Sequence, residues 1–361
     1  MGNHAWVDIA LSYGLALVVA LVSTPIIIKL APGMGAVDQP GPRKMHTSPM
    51  PTIGGVAIYL GFMISMIING QTHPEAIAIL LGGSVILVIG LIDDIYDISP
   101  YLKLAGQILA ALIVVYFGIR VEFITSFLSG EAVSLGILTV PVTVLWIIAV
   151  INSINLIDGL DGLAAGVSTI AAVTIAIIAL REGQTMVAMW AFVLAGSTTG
   201  FLRYNFNPAR IFMGDSGSMF LGYNLAVFAL MGHTKSTTIL SLIIPLIILG
   251  LPLLDTSFAI IRRAIGGKHI FQADRDHLHH RLLASGMSHR STVLTIYAVS
   301  AIYSVCAIAI TYFTTPQAFM VLGVLTVSTV VGAGWLGVLR IDLTTGKNHL
   351  AGRYSQNKKI G

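Results

Sequence analysis

Apolar stretches of about 17 to 25 residues recur along nearly the whole chain, separated by short polar gaps. A helix needs about 20 apolar residues to cross a hydrocarbon core, and within that core its backbone polar groups must be satisfied inside the segment itself. Only 10% of the residues are charged and 55% are hydrophobic, whereas a water-soluble domain carries charge on about a quarter of its residues. The solvent for most of this chain is lipid. The sequence predicts an all-α, polytopic transmembrane helical bundle forming a single domain over residues 1–361. Eleven spans are expected, at 7–30, 52–69, 75–92, 101–118, 136–152, 163–180, 184–201, 216–232, 238–261, 292–313 and 317–339. The first has no basic residue before it and is too long for a signal-peptide core, so it is expected to stay uncleaved. The lone Cys306 can form no disulfide within the chain.

Alternating the gaps between two sides places seventeen of the 20 lysines and arginines on one side and leaves Arg120, Arg181 and Lys235 on the other. The positive-inside rule makes the crowded side cytoplasmic, with the N-terminus outside and the C-terminus inside. The basic residues are dispersed over several short segments, so the net charge of +4 reflects membrane orientation and gives no reason to expect nucleic acid. Glycines spaced as Gly196 and Gly200 are expected to let helices approach closely in lipid. No repeat of 20 to 50 residues and no inverted half-and-half pattern is visible.

The acids are distributed unevenly. Of 16 aspartates and glutamates, those on or beside the crowded side are all aspartates. A carboxylate at the centre of a membrane helix costs roughly 2.5–3.5 kcal/mol, so several at one boundary call for a compensating role. Asp93, Asp94 and Asp97 close the third span. If that helix persists, Asp93 and Asp97 share a face and Asp94 points about 100° away. Pro100 then turns the chain back and returns Lys103 to the same neighbourhood as a fixed cation for phosphate. Asn152, Asn155, Asp158, Gly159, Asp161 and Gly162 form the second cluster; amides beside carboxylates suit a hard divalent cation or a nucleobase edge, and the glycines allow a close backbone approach. In the third, Asp215 or Ser216 is placed to cap the eighth span or to hold Mg²⁺ against a diphosphate. The fourth, Asp274-Arg275-Asp276-His277-Leu278-His279-His280-Arg281, has no cysteine or clear fourth zinc ligand, and its arginines oppose a second cation. Histidine and arginine together fit anion recognition better.

In this order, the clusters resemble the polyprenyl-phosphate N-acetylhexosamine-1-phosphate transferase family over about residues 29–281, and within it the bacterial branch acting on undecaprenyl phosphate at the start of teichoic acid, O-antigen or related glycan synthesis. The resemblance implies that Asp93 and Asp94 are the catalytic pair, Lys103 the diphosphate-binding lysine, and Asn155 and Asp215 the ligands of Mg²⁺, which Mn²⁺ can replace. It implies a uridine pocket over Asp158, Gly159, Asp161 and Gly162, and a histidine loop of His277, His279, His280 and Arg281. Lys44 and His46 match the family's first cytoplasmic loop less securely. The implied reaction joins UDP-N-acetylglucosamine to undecaprenyl phosphate in the cytoplasmic membrane, with another UDP-amino sugar, including the muramyl-pentapeptide nucleotide, as the alternative donor. A homodimer is compatible with the family. A transporter would place its charges near the bilayer midplane instead of at one boundary. A zinc metalloprotease would need an HExxH string, and a CDP-alcohol phosphotransferase an Asp-Gly-x-x-Ala-Arg string that Asp161-Gly162-Leu163-Ala164-Ala165-Gly166 does not complete.

Overall fold

The computed structural model describes residues 3–40, 48–69, 73–125, 132–232, 240–265, 277–313 and 315–335. Lys44, His46, Asp274, Arg275 and Asp276 lie outside the described residues. The described chain is all-α apart from two short antiparallel hairpins, Val37–Asp38 with Met50–Pro51 and Phe123–Thr125 with Ala132–Ser134. Its helices are α1 (Asn3–Leu30), α2 (Gly55–Ile68), α3 (Pro74–Tyr96), α4 (Pro100–Tyr116), α5 (Thr139–Ile157), α6 (Leu163–Arg181), α7 (Thr185–Asn205), α8 (Gly214–Met231), α9 (Leu240–Ile248), α10 (Gly250–Ile265), α11 (Leu278–Ala284), α12 (His289–Ile310) and α13 (Thr315–Trp335). Among the described residues six helical segments are long and apolar enough to cross a membrane: Trp6–Met34, Pro74–Tyr96, Gly136–Ile157, Leu163–Arg181, Thr185–Asn205 and His289–Ile310. Gly55–Ile68, Pro100–Tyr116 and Gln317–Gly332 are shorter apolar helices. The protein is therefore a multi-pass membrane protein.

One expected span is corrected. Residues 238–261 were expected as a continuous helix, but α9 ends at Ile248 and α10 begins at Gly250. Pro245 and Pro252 bracket the break; neither can donate a backbone N–H, and each ring crowds the preceding turn.

Small residues decide how the helices meet. A methyl group on Gly196 would lie 2.4 Å from the Tyr13 carbonyl oxygen, and one on Gly200 2.3 Å from that of Leu17, so α7 lies directly on the backbone of α1, as their spacing implies. The same device seats α8. A methyl on Gly55 would fall 2.2 Å from the Gly217 nitrogen, and one on Gly90 2.3 Å from the Ser216 Cα. The first turn of α8 is thus held against the start of α2 and the end of α3. Short backbone hydrogen bonds reinforce it: Gly54 N donates to Phe212 O at 3.1 Å, Gly55 N to Met213 O at 2.9 Å and Phe212 N to Pro51 O at 2.8 Å. Around this join, α8 is buried on every side, with Phe220, Tyr223 and Phe228 among the most enclosed side chains in the molecule. From α3 to α8 consecutive helices reverse direction, so the ends of α3, α5 and α7 and the beginnings of α4, α6 and α8 gather at one end of the bundle.

Candidate active site

The centre is assembled where α3, α4, α5 and α8 meet. α3 ends at Tyr96, and Asp97 turns into the left-handed region at φ 51°. The expected pairing of Asp93 with Asp97 on one helical face is therefore corrected: Asp97 leaves the helix and is exposed, and the Oδ1 of Asp93 accepts a hydrogen bond from Ile98 N at 3.0 Å. Ser99 then caps α4, accepting from Leu102 N, and Pro100 occupies its first turn. That tight reversal brings Lys103 back over the carboxylates. Its Nζ lies 2.6 Å from Asp93 Oδ2 and 2.8 Å from Asp215 Oδ2, joining positions 112 residues apart.

Asp94 has a different job from its neighbour. It accepts from the backbone N–H groups of Asp215 at 2.7 Å and Ser216 at 3.2 Å. The sequence offered Asp215 or Ser216 as the cap of α8, but neither side chain caps it; the cap is supplied by Asp94 from α3. A carboxylate at the positive end of a helix satisfies orphan donors and meets the favourable end of the macrodipole. Gly214 makes the approach feasible: it adopts φ +72°, and a methyl there would fall 2.0 Å from Thr52 O and 2.5 Å from Asp94 Oδ2. Asp215 is left free to point its side chain at Lys103 and at Asn155, whose Nδ2 donates to Asp215 Oδ1 at 3.0 Å and to Ser218 Oγ at 2.9 Å. Asn155, expected as a metal ligand with Asp215, lies beside that carboxylate and turns its amide nitrogen to it, which leaves its Oδ1 as the atom it can offer an ion. Asn152, one turn earlier, ties α5 to α4 through Gln107 Oε1 at 2.8 Å.

Oxygen atoms of Asp93, Asp94 and Asp215 lie within 4.8 Å of one another. An all-oxygen, carboxylate-rich donor set suits a hard divalent cation such as Mg²⁺ or Mn²⁺ and does not suit a soft one. The residues present fit such an ion.

The α5–α6 turn borders this centre. Asp158 follows α5, and burial, together with the charges of Asp215, Asp94 and Asp161, pushes its carboxyl up to about 8. The His279 ring lies against Gly159, which stays exposed on its other side: a methyl on the glycine would lie 2.4 Å from Nε2. Only glycine admits the imidazole this close to the turn. Asp161 and Gly162 are used by the protein itself. Asp161 Oδ2 accepts from Asn207 Nδ2 at 2.9 Å and from Ala209 N at 3.0 Å. Gly162, at φ +78°, donates to Asn205 Oδ1 at 3.1 Å and accepts from the Tyr297 hydroxyl. The structure brings Asp158 beside the carboxylate centre and Gly159 against His279, and engages Asp161 and Gly162 in holding the turn in shape.

The histidine segment reaches the same place through α11. Burial, with His280 beside it, holds His279 down at about 4, so the ring is neutral at pH 7. Its Nε2 has no hydrogen-bond partner among the described residues. His277 stacks parallel to it, with ring centroids 5.9 Å apart, and His280 is tilted at 4.2 Å. Sequence reasoning missed the residue that fixes this segment. Asp255, buried within α10, holds His277 Nδ1 at 2.8 Å through Oδ2 and caps α11 by accepting from Leu278 N at 2.8 Å through Oδ1. The available signal was one carboxylate inside an apolar run, Leu253-Leu254-Asp255, where an unpaired acid is costly.

Fold and site together define a polytopic helical membrane protein with a carboxylate and lysine centre, flanked by histidines, at one end of its bundle. The family model described as Glycosyl transferase family 4 matches residues 76–233, from α3 through α8. The chain is 42% identical over 311 residues to the "Probable undecaprenyl-phosphate N-acetylglucosaminyl 1-phosphate transferase" of Bacillus subtilis (strain 168), covering 86% of this chain and 87% of that protein. It is 34% identical over 350 residues to the "Decaprenyl-phosphate N-acetylglucosaminephosphotransferase" of Mycolicibacterium smegmatis, covering 88% and 85%. To the "Undecaprenyl-phosphate alpha-N-acetylglucosaminyl 1-phosphate transferase" of Escherichia coli (strain K12) it is 28% identical over 279 residues, covering 76% of each. The chain belongs to glycosyl transferase family 4, the polyprenyl-phosphate N-acetylhexosamine-1-phosphate transferases.

Proposed function

We propose that this protein transfers N-acetylglucosamine 1-phosphate from UDP-N-acetylglucosamine to undecaprenyl phosphate. An oxygen of the lipid phosphate attacks the phosphorus that bears the sugar, the phosphoanhydride bond breaks, and UMP leaves. The product is a lipid-linked diphosphate sugar of the kind that begins cell-envelope glycan synthesis, including teichoic acid or lipopolysaccharide. The observation that carries this reading is the Asp93, Lys103 and Asp215 cluster beside an Asp158-Gly159 turn with a histidine ring against it, in a chain so similar along its length to the relatives named above.

The chemistry sets the electrostatic problem. Two unit charges near 4 Å repel by about 1 kcal/mol in water and about 4 kcal/mol at an effective dielectric of 20, and this reaction presses an anionic lipid against an anionic nucleotide. Lys103 supplies a cation already fixed between two carboxylates and able to pass to a diphosphate. Mg²⁺ held by Asp93, Asp94 and Asp215 would neutralise developing charge on phosphate oxygens when bound. The second pKa of a phosphate monoester lies near 6, so the lipid nucleophile is mostly ionised at neutral pH and needs no strong base. In this reading Asp93 orients that phosphate through Lys103, its ion-pair partner, while Asp94 holds the start of α8. Asp158, Gly159, His277, His279, His280 and Arg281 form the donor side, where Arg281 offers charge-assisted hydrogen bonds to phosphate or acetamido oxygens.

The active site faces the cytoplasm of the bacterial cell membrane, with eleven crossings if α9 and α10 count as one. Arg203, Arg262, Arg263, Arg281 and Arg290 belong to its end of the bundle, while Arg120 and Arg181 belong to the other, and this asymmetry supports the orientation. The purified protein, given undecaprenyl phosphate, Mg²⁺ and a panel of UDP-sugars, is expected to release UMP and form a lipid product with UDP-N-acetylglucosamine and to lose that activity in excess chelator. A product formed preferentially from another UDP-sugar would replace the donor assignment; release of free sugar phosphate without lipid product would reject the transfer reaction.

A further inference from the structure

Of the carboxylates in the described residues, Asp255 alone is deeply enclosed within a helix, at 5% exposure, and stands outside the carboxylate centre. Its partner His277 is 4% exposed. A buried carboxylate is retained only where its oxygens are engaged, and here the two oxygens do different things: Oδ1 receives the first free N–H of α11, and Oδ2 faces His277 Nδ1, each at 2.8 Å. With a carboxylate as acceptor, Nδ1 must carry a hydrogen, which leaves Nε2 as the polar atom His277 has left to offer. The ring so fixed stacks in parallel, at an interplanar angle of 4°, on His279, and His279 is the ring that lies against Gly159.

We propose that Asp255 is a positioning residue for the transfer reaction: it sets the tautomer of His277 and the seat of α11, and through them the histidine face that meets the sugar nucleotide. The role of the histidine face rests on the function proposed above. Asp255 touches no substrate. A carboxylate that holds one nitrogen of an imidazole fixes both the ring's orientation and which nitrogen remains for a ligand, and loss of such a supporting partner costs about 10- to 100-fold in well-studied metal sites. The same range is expected here for donor binding or turnover.

Asp255→Asn separates the two duties of the carboxylate. The Leu278 N–H requires an acceptor, so it keeps the amide oxygen on its side and the cap survives. The amide NH₂ then faces His277 Nδ1, which must accept, and the ring hydrogen moves to Nε2. Asp255→Ala removes both duties. Nitrogen-15 imidazole spectra of the wild-type protein are expected to show His277 with hydrogen on Nδ1, and those of Asp255→Asn with hydrogen on Nε2. Thermal stability should fall in Asp255→Ala and stay close to wild type in Asp255→Asn. Calorimetry should show UDP-N-acetylglucosamine bound roughly 10- to 100-fold more weakly by Asp255→Asn, with little added loss in the double variant Asp255→Asn/His277→Ala beyond His277→Ala alone. An unchanged His277 tautomer in Asp255→Asn would overturn the proposal, as would a tautomer change that leaves donor affinity and turnover at wild-type values. A wild-type protein that binds a different nucleotide sugar would refute the donor assignment and not the role of Asp255, because the tautomer and the binding of that other nucleotide would be measured in the same variants.

Discussion

Adjacent aspartates with the same chemistry have been given different work by their surroundings. Asp93 keeps an oxygen for Lys103, while each oxygen of Asp94 also accepts a backbone N–H at the start of α8. Sequence could mark both as unusual and could not separate them, because the partner that distinguishes Asp94 lies 121 residues away. Asp215 benefits most from that division, since its side chain takes no part in the cap. Asp215→Asn is therefore expected to retain the fold, with a melting temperature near wild type, and to lose turnover by roughly 100-fold or more, the scale on which removal of one transition-state electrostatic partner is felt. Full activity and unchanged Mg²⁺ dependence would reject its place at the centre. Asp158 makes a prediction of opposite character. Its carboxyl sits near 8 in the folded protein against an ordinary value of 3.8. Below pH 4 both folded and unfolded chains hold the proton. Between about 4 and 8 the unfolded chain releases it while the folded chain retains it, so stability falls as pH rises through that window and the penalty is constant above it. Asp158→Asn should remove this dependence. In chelator-treated protein its melting temperature should gain on wild type from pH 4 to 8, by about 1–2 °C for each kcal/mol relieved in a chain of this length; parallel melting curves at all pH values would show that Asp158 titrates normally.

At the scale of elements, the centre depends on how closely α8 approaches α2 and α3. Gly55, Gly90 and Gly217 permit that approach, and Gly214 turns the chain into α8 beneath Asp94. A methyl on Gly55 meets backbone atoms of Gly217 at 2.2 Å and 2.4 Å, and backbone cannot swing aside as a flexible side chain would. Gly55→Ala is expected to cost about 1–3 kcal/mol, the ordinary price of overpacking, and to lower activity as well, because the displaced α8 carries Asp215 away from Lys103 and Asn155. A variant with wild-type melting temperature and kcat would show that the contact is looser than these distances imply. The elements themselves were largely legible. Apolar length marked the helices, and Pro100 after Ser99 marked the reversal between α3 and α4. The break between α9 and α10 was missed because hydropathy runs through it unchanged, and the pattern of apolar residues does not register where two prolines interrupt the hydrogen bonding. Asp255 was passed over because its partner His277 stands 22 residues further along the sequence, and no local pattern links the two. The histidine cluster stood out by composition alone, yet its attachment to Gly159 is a tertiary fact.

For the whole molecule, the alternation of helix direction matters more than any single contact. Helices that each cross the bundle bring their polar termini to two opposite ends, and the aspartate-rich termini all fall at one of them. Tyr96, the last residue of α3, is 74% exposed beside that centre, whereas Ile137, just before α5, is 92% exposed at the far end. Their separation turns orientation into an accessibility experiment. With Cys306 replaced by serine, the protein contains no other cysteine, and Tyr96→Cys and Ile137→Cys can be introduced one at a time. A membrane-impermeant thiol reagent applied to intact cells is expected to label Ile137→Cys at once and to leave Tyr96→Cys unmodified until the membrane is permeabilised. Labelling of Tyr96→Cys in intact cells would place the carboxylate centre outside, away from a cytoplasmic nucleotide sugar, and would contradict the bias of arginines toward that end. Labelling of both from one side would break the alternation itself. Protection of Tyr96→Cys by UDP-N-acetylglucosamine and Mg²⁺ in permeabilised cells would join the two results, because the residue that reports the side of the membrane also stands at the rim of the proposed site.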